Sequence, residues 1–370
     1  MEIEKGAKWV KFDTMERFIR DVFKGIGVPA ADAAVCAKVL ITADKLGIDS
    51  HGISRLKPIY YDRIKQGIQL PKAKFEILKE TPTTATIDGH NGMGHVIAVR
   101  AMELAIKKAR KFGLGMTAVR NSTHYGIAGY HALLAAKAGM IGITGTNARP
   151  SVAPTFGVEN MMGTNPLTFA IPTDEEFPFL LDCATSITQR GKIEVYAKLG
   201  KKMPKGWVID SQGNSKTDSV AVLKDLVAGT AALVPVGGIG EELGGYKGYG
   251  YCAVVEILSA ALQQGAFMKM LLGVKDGKKV PYPLGHFFLA IDIEAFTSLR
   301  SFKKIAGDIL RELRASKKMP GAKRIYTAGE KEHLAWLYRR NKGVPLNRET
   351  QKEILEMKAE LGLNKYKFNF

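Results

Sequence analysis

Phe18, Ile19, Val22 and Phe23 recur at helical spacing behind the capping types Asp13 and Thr14, and Gly25 closes the run. A second helix is predicted over residues 30–46, Ala-rich, with Val35, Val39 and Leu40 on one side. Pro71 and Pro82 mark a looser connection, after which the texture changes. From Thr84 strand-like and helical pieces alternate: a strand over 85–88, a helix over 94–112, a strand over 115–119, a helix over 129–138 and a strand over 140–144. Residues 167–171 and 177–182 read as further strands, 247–264 as an apolar helix and 286–291 as a buried strand. The stretch 294–363 is mostly helical and charged, with a cap at Thr297 or Ser298 and a breaker at Pro345. The pattern describes an α/β middle flanked by helical ends that can pack together.

A chain of 370 residues is long for one core and implies two or three domains. Its 46% hydrophobic and 24% charged content is that of an ordinary soluble protein, and no run approaches a membrane span. Met1-Glu2-Ile3-Glu4-Lys5 is charged and lacks the apolar stretch of a signal peptide, so the expectation is a cytoplasmic enzyme. Cys36, Cys183 and Cys252 form no CxxC pair and read as buried thiols, so no metal site is expected. The net charge of +18 raises a nucleic-acid partner. Basic residues are dispersed along helices, as in Lys107-Lys108-Ala109-Arg110-Lys111, without interleaved aromatics or helix-turn-helix spacing. A solvated basic face is the simpler account, and its field would help collect an anionic acid and a phosphate-bearing cofactor.

Chemistry concentrates in Asp49-Ser50-His51-Gly52-Ile53-Ser54-Arg55, which reads as the end of a helix. Ser50 can hold the ring of His51, His51 can move a proton near neutral pH, and Arg55 can clamp a carboxylate. The same residues also suit a helix C-terminus, where His and Arg face the negative end of the dipole. Two glycine patterns fail as nucleotide loops. Gly113-Leu114-Gly115-Met116-Thr117-Ala118 lies between a helix and a strand, the reverse of the dinucleotide turn. Gly238-Ile239-Gly240-Glu241-Glu242-Leu243-Gly244 places two carboxylates where a phosphate would sit, so a flexible active-site loop is the better reading. Any dinucleotide is bound without a Rossmann turn.

Three further segments put polar groups at strand ends. Asn121-Ser122-Thr123-His124-Tyr125-Gly126 follows a strand, and His124 could donate a proton, touch a nicotinamide or simply hydrogen-bond in a loop. In Gly163-Thr164-Asn165-Pro166, Thr164 and Asn165 could bind substrate oxygens or form a plain turn. Asp182-Cys183-Ala184-Thr185-Ser186 ends a buried strand, where Asp182 could accept ribose hydroxyls or cap the helix that follows. Tyr246-Lys247-Gly248 adds a cation for a phosphate or carboxylate. His90, His95, His131, His286 and His333 have no ligand spacing and read as structural.

Taken in order, Ser50-His51-Gly52 with Arg55, Asn121 to Gly126, Gly163 to Pro166, Leu181 to Ser186, Gly244 to Gly248 and Ala328-Gly329-Glu330 resemble the non-Rossmann malate/L-lactate dehydrogenase family, archaeal malate dehydrogenases above all. The likeness runs from about residue 15 to 335. It implies an NAD- or NADP-dependent oxidoreductase of 2-hydroxy acids, most readily of malate, with lactate and sulfolactate as alternatives. The implied fold is an α/β cofactor domain with a largely antiparallel central sheet (81–294) and a helical domain built from both termini (1–80 with 295–370). A homodimer with the active site between domains and subunits is implied too. By resemblance His51 is the acid–base group relayed by Ser50, Arg55 and Thr164 bind substrate, and His124, Tyr125, Gly126, Asp182, Cys183, Ala184, Thr185, Ser186, Tyr246, Lys247, Gly329 and Glu330 meet the cofactor. Relatives divide the proton transfer differently between the histidines at His51 and His124. Two positions depart from the pattern: Lys192 stands where some family reductases carry an Asp, and Ala328 where Pro is usual. Arg149, Arg190 and Lys192 are candidates for the second cation that malate needs.

Overall fold

The computed structural model describes residues 6–370. Strand β1 (Lys8–Val10) leads into helices α1 (Phe12–Gly25) and α2 (Ala30–Lys45). Met15, Phe18, Ile19, Val22 and Phe23 form one buried stripe of α1. Phe12 belongs to that stripe, so the helix starts at Phe12. Asp13 and Thr14 therefore lie inside its first turn and not ahead of it as caps. Because α2 stops at Lys45, residues 49–55 are not a helix end. They form a turn and a short 3-10 segment (Ile53–Arg55) that runs into a π-helical stretch, Leu56–Tyr61, and α3 (Asp62–Lys65).

The middle of the chain continues with β2 (Glu76–Glu80), β3 (Thr84–Asp88), α4 (Gly94–Phe112), β4 (Leu114–Ser122), α5 (Ala128–Lys137), β5 (Met140–Thr146), β6 (Leu167–Ile171) and β7 (Phe179–Cys183). Next come α6 (Arg190–Lys198), β8 (Val208–Asp210), α7 (Ser219–Ala228) and β9 (Ala231–Leu233), packed around Ile193, Val208, Val222 and Leu233. Helix α8 (Gly245–Ala260), a hairpin of β10 (Val274–Lys275) and β11 (Lys278–Lys279), and β12 (Leu284–Asp292) follow. The chain ends with α9 (Leu299–Ala315), α10 (Glu330–Arg339), β13 (Val344–Leu346) and α11 (Arg348–Glu360).

Seven strands form the central sheet in the order β2-β3-β4-β12-β5-β6-β7. Only β3 and β4 pair in parallel; every other neighbour is antiparallel. A parallel pair needs a crossover, which α4 supplies. It packs so closely that a Cβ at Gly115 of β4 would lie 2.0 Å from the Ala105 carbonyl oxygen. Ile87, Ile97, Met102, Val119 and Phe288 fill the core between α4 and the sheet. At the ends of the chain, β1 pairs antiparallel with β13. Met15, Phe18, Phe23, Leu40, Tyr60, Leu346 and Ile354 share one apolar core, so both ends meet there. Pro345 sits in β13 and breaks no helix; a two-stranded ribbon has the free edge that a residue without N–H requires. Strand β2 had no signal in the sequence because four of its five side chains are exposed.

Candidate active site

Two imidazoles face each other where the 49–55 turn meets the loop after β4. The rings of His51 and His124 stack with centroids 5.8 Å apart and planes within 19°. Ser50 Oγ lies 2.9 Å from His51 Nδ1, and the Arg55 side chain folds back to donate from Nε to the Ser50 carbonyl at 2.5 Å. His124 Nδ1 has two partners: the Gly126 amide at 3.3 Å and the Tyr60 hydroxyl at 2.6 Å. A backbone N–H can only donate, so His124 Nδ1 is an acceptor and the neutral ring carries its proton on Nε2. The partner of His51 Nδ1 is a hydroxyl, which can accept as readily as donate, so Nε2 of that ring is free to be the base.

Burial pushes the His51 imidazolium down to about 4, with the Arg55 charge adding to the effect. Burial also holds His124 well below the usual histidine range, helped by His51, His95, Arg63 and Arg55. Both rings are neutral at pH 7, which suits one as proton acceptor and the other as hydrogen-bond donor.

The turn that carries Ser50, His51 and Arg55 is fixed from beneath. Asp44 of α2 accepts the Ile53 amide at 2.9 Å, and burial with the nearby Asp49 charge pushes its carboxyl up. A Cβ on Gly52 would fall 2.0 Å from Asp44 Oδ1, so only glycine fits there. From α10, the fully buried Arg339 holds both oxygens of Asp49, at 2.5 and 2.8 Å, and donates to the Asp44 carbonyl at 2.7 Å. The π-helical stretch that follows places Tyr60 beneath His124, with its ring 4.5 Å from that of His95.

Segment 182–191 links this site to the rest of the molecule. Asp182 accepts the Gly129 amide at 2.7 Å and the Thr168 hydroxyl at 3.0 Å. It therefore caps α5, a helix that precedes it in the chain, and not one that follows. Thr185 bonds the carbonyls of Thr164 and Asn165, and its own carbonyl receives the Val236 amide. Ser186 bonds back to the Thr188 carbonyl. At the far end a Cβ on Gly191 would sit 3.5 Å from Arg55 and 3.7 Å from Ser50, so the start of α6 borders the histidine pair.

Gly245 begins α8, and Val236, Gly237, Gly244, Tyr246, Lys247 and Tyr251 line a cleft of about 500 Å³ beside its N-terminus. Glu241 and Glu242 also line it. Helix N-terminal amides together with Lys247, which has no ion-pair partner among the described residues, are a donor set suited to phosphate.

Other predicted positions lie differently. Tyr125 is buried, its ring stacked on His286 at 4.5 Å and on His131 at 4.8 Å, so it faces the core. Cys183 is exposed on the edge strand β7, unlike the buried Cys36 and Cys252. Thr164 is half-buried, and its carbonyl is held by Thr185. Gly329, with φ +90°, lies against the Pro178 carbonyl, and the Glu330 carboxylate turns to Arg324 and the Thr327 amide. Tyr60 and Arg339 carried no sequence signal, because an aromatic in an apolar run and an Arg in a basic tail look ordinary until the fold places them. Among the described residues no helix is long and apolar enough to cross a membrane, and no group of three or more His, Cys, Asp or Glu is gathered for a metal ion.

Two stacked histidines thus lie beside an arginine in a molecule whose central sheet has a single parallel pair, β3 and β4. Residues 10–355 match the malate/L-lactate dehydrogenase family; the chain belongs to it and is an oxidoreductase acting on the CH–OH group of 2-hydroxy acids. It is 44% identical over 351 residues to a malate dehydrogenase of Pyrococcus horikoshii, covering 95% of each chain. The crystal structure of malate dehydrogenase from Entamoeba histolytica superposes with a TM-score of 0.94 at 45% identity, covering 98% of this chain and 100% of that one. Sulfolactate dehydrogenase from Methanocaldococcus jannaschii superposes at 0.86 with 36% identity, over 97% and 99%.

Proposed function

We propose that this chain is an NAD- or NADP-dependent malate dehydrogenase in which His51 moves the proton and His124 donates a hydrogen bond. The observation that carries the assignment is the difference between the two Nδ1 atoms. His124 Nδ1 is occupied by an obligate donor, whereas His51 Nδ1 faces a hydroxyl. When bound, a nicotinamide would supply or accept the hydride. Arg55 then holds the neighbouring carboxylate, and His51 Nε2 takes the hydroxyl proton as its Nδ1–H donates to Ser50 Oγ. His124 Nε2–H points its positive end at the same oxygen and stabilises the charge that builds there. Thr164 contributes to the substrate side.

Lys247 at the head of α8, with Tyr246 beside it, would meet a cofactor phosphate against the opposing charge of Glu241 and Glu242 in the same cleft. The strip Asp182 to Ser186, the 124–126 loop and the 329–330 turn would border the remainder. With its ring turned inward, Tyr125 would act there through its backbone. Residues 1–80 with 295–370 are read as the terminal unit and 81–294 as the cofactor unit, supported by the apolar core that both ends share.

Parallel assays of NADH and NADPH oxidation with oxaloacetate, pyruvate and sulfopyruvate test the reading. Oxaloacetate is expected to give the largest kcat/KM; a preference for sulfopyruvate or pyruvate would replace malate by sulfolactate or lactate. The chain is also read as a homodimer. Helix α8 leaves Tyr251 (60% exposed), Val254 and Ile257 (59% exposed) on one side without cover, the apolar surface that a second copy would bury. Sedimentation equilibrium is expected to return twice the chain mass, and a monomer at micromolar concentration would refute the dimer.

A further inference from the structure

Arg55 accounts for one carboxylate of the substrate, so a dianionic acid needs a second cation near the histidine pair. The three candidates separate in the structure. Arg190 is paired with Glu194 at 3.0 Å, and Lys192 lies over the Trp207 ring at 4.8 Å. Arg149 is exposed and has no carboxylate partner among the described residues. Its guanidinium lies 5.9 Å from the centre of the Tyr282 ring, and that of Arg63 lies 5.1 Å from the same ring and donates to its hydroxyl. Tyr282 thus has both guanidiniums within about 6 Å of its ring centre.

These three side chains border a cavity of about 360 Å³ between the π-helical stretch and the β10–β11 hairpin, with Pro58, Asp62 and Lys279 on its wall. Asp62 is the one acid there, and Lys57 engages it at 3.3 Å. Arg63 follows Tyr60 by three residues, on the same side of the helical turn. Tyr60, whose hydroxyl bonds His124 Nδ1 at 2.6 Å, lies in the chain between Pro58 and the Asp62–Arg63 pair, all three of which line the cavity. The cavity therefore borders the segment that carries the Tyr60 contact to His124.

We propose that this cavity receives the distal anionic group of the substrate, carboxylate or sulfonate, with Arg149 as the specificity-determining cation and Tyr282 as the residue that positions it beside Arg63. The proposal rests on the dehydrogenase reading above and adds to it the reason for preferring dianionic over monoanionic acids. An Arg in this role gives two parallel N–H donors to a planar carboxylate and a strong charge to a sulfonate. Pyruvate and lactate have nothing to place there.

The test is Arg149→Gln and Arg149→Lys with saturating cofactor, measured on oxaloacetate, sulfopyruvate and pyruvate. Loss of a charged, paired hydrogen bond lowers kcat/KM about 10- to 100-fold. That loss is expected on the two dianionic acids and mainly through KM, with pyruvate changed less than about threefold and Lys restoring part of it. An equal loss on all three substrates, or none on the dianionic pair, overturns the proposal; so does weakened NADH binding, which would place Arg149 on the cofactor. Calorimetric titration of malate into the enzyme with cofactor present keeps the two readings separate. If the wild-type enzyme reduces none of the three keto acids, the dehydrogenase reading fails. Weaker malate binding by Arg149→Gln would still uphold the cavity as an anion site, and unchanged binding would dismiss it.

Discussion

Replacing His51 by alanine is expected to lower kcat for oxaloacetate reduction by about 10³-fold, within the 10²–10⁴ range of general acid–base catalysis. The expectation follows from the hydrogen bonds at the two rings. His51 is held at Nδ1 by a hydroxyl that can either give or take a proton, so its Nε2 can cycle between base and acid. His124 cannot do this without breaking the bond from the Gly126 amide or reversing the one from Tyr60. With His124 in its proposed role as donor to the developing alkoxide, His124→Ala is expected to lose about 10²–10³-fold in kcat. Added imidazole is expected to restore part of the activity of His51→Ala and little of that of His124→Ala. If His51→Ala keeps more than about a tenth of its activity while His124→Ala is dead and rescued by imidazole, the roles are reversed.

His95→Phe is expected to be more acid-stable than the parent chain, by about 2 kcal/mol at pH 5 relative to pH 7. His95, His131 and His286 are all fully buried. Burial is the main cause that lowers each of them, to about 3, 4 and 3, with His131 acting on the other two. A histidine whose folded pKa lies below its unfolded value contributes nothing unfavourable above about pH 6.5. As pH falls from there, the unfolded chain gains a proton that the folded chain refuses, and stability drops by about 1.4 kcal/mol per pH unit per group. Asp44, Asp182 and Glu353, all pushed up by burial, work in the opposite sense. The difference between variant and parent cancels them, which makes the single replacement the clean experiment. Neither ring nitrogen of His95 has a protein partner among the described residues, so Phe forfeits no hydrogen bond there. Urea denaturation at pH 7 and pH 5 measures the effect; parallel loss of stability in both proteins would mean that His95 is protonated in the folded state.

Helices α1, α2, α4 and α5 and strands β3 to β7 stand close to where periodicity put them, since each has a face that must leave water. Elements with little buried surface of their own escaped that reading. Exposed β2 is one; α6, β8 and α7 escaped it for another reason, since each sends only a residue or two, such as Ile193, Val208 and Val222, into the core they share. The 49–55 motif was read as a helix end and is a turn that runs into a short 3-10 segment. His, Gly and Arg at a helix end and His, Gly and Arg in a catalytic turn have the same composition, and only the anchors separate them. Those anchors, Asp44 and Arg339, lie five residues before the motif and almost 300 residues after it.

The resemblance carried by six motifs in order was enough to place the chain among the non-Rossmann 2-hydroxy-acid dehydrogenases, because glycine-bounded polar clusters at strand ends survive in a linear string. The roles within the site were not available there. Whether a ring nitrogen accepts or donates depends on which groups from distant segments face it. For His124 these are the Tyr60 hydroxyl, brought in from 64 residues earlier in the chain, and a backbone amide whose direction is set by the loop. The same holds for the choice among Arg149, Arg190 and Lys192, which the sequence left level. Tertiary packing neutralised one with Glu194, laid another on Trp207 and set the third, beside Arg63, at the cavity. Charge and hydrogen-bond capacity belong to the residue, but their direction is decided by what the fold places opposite.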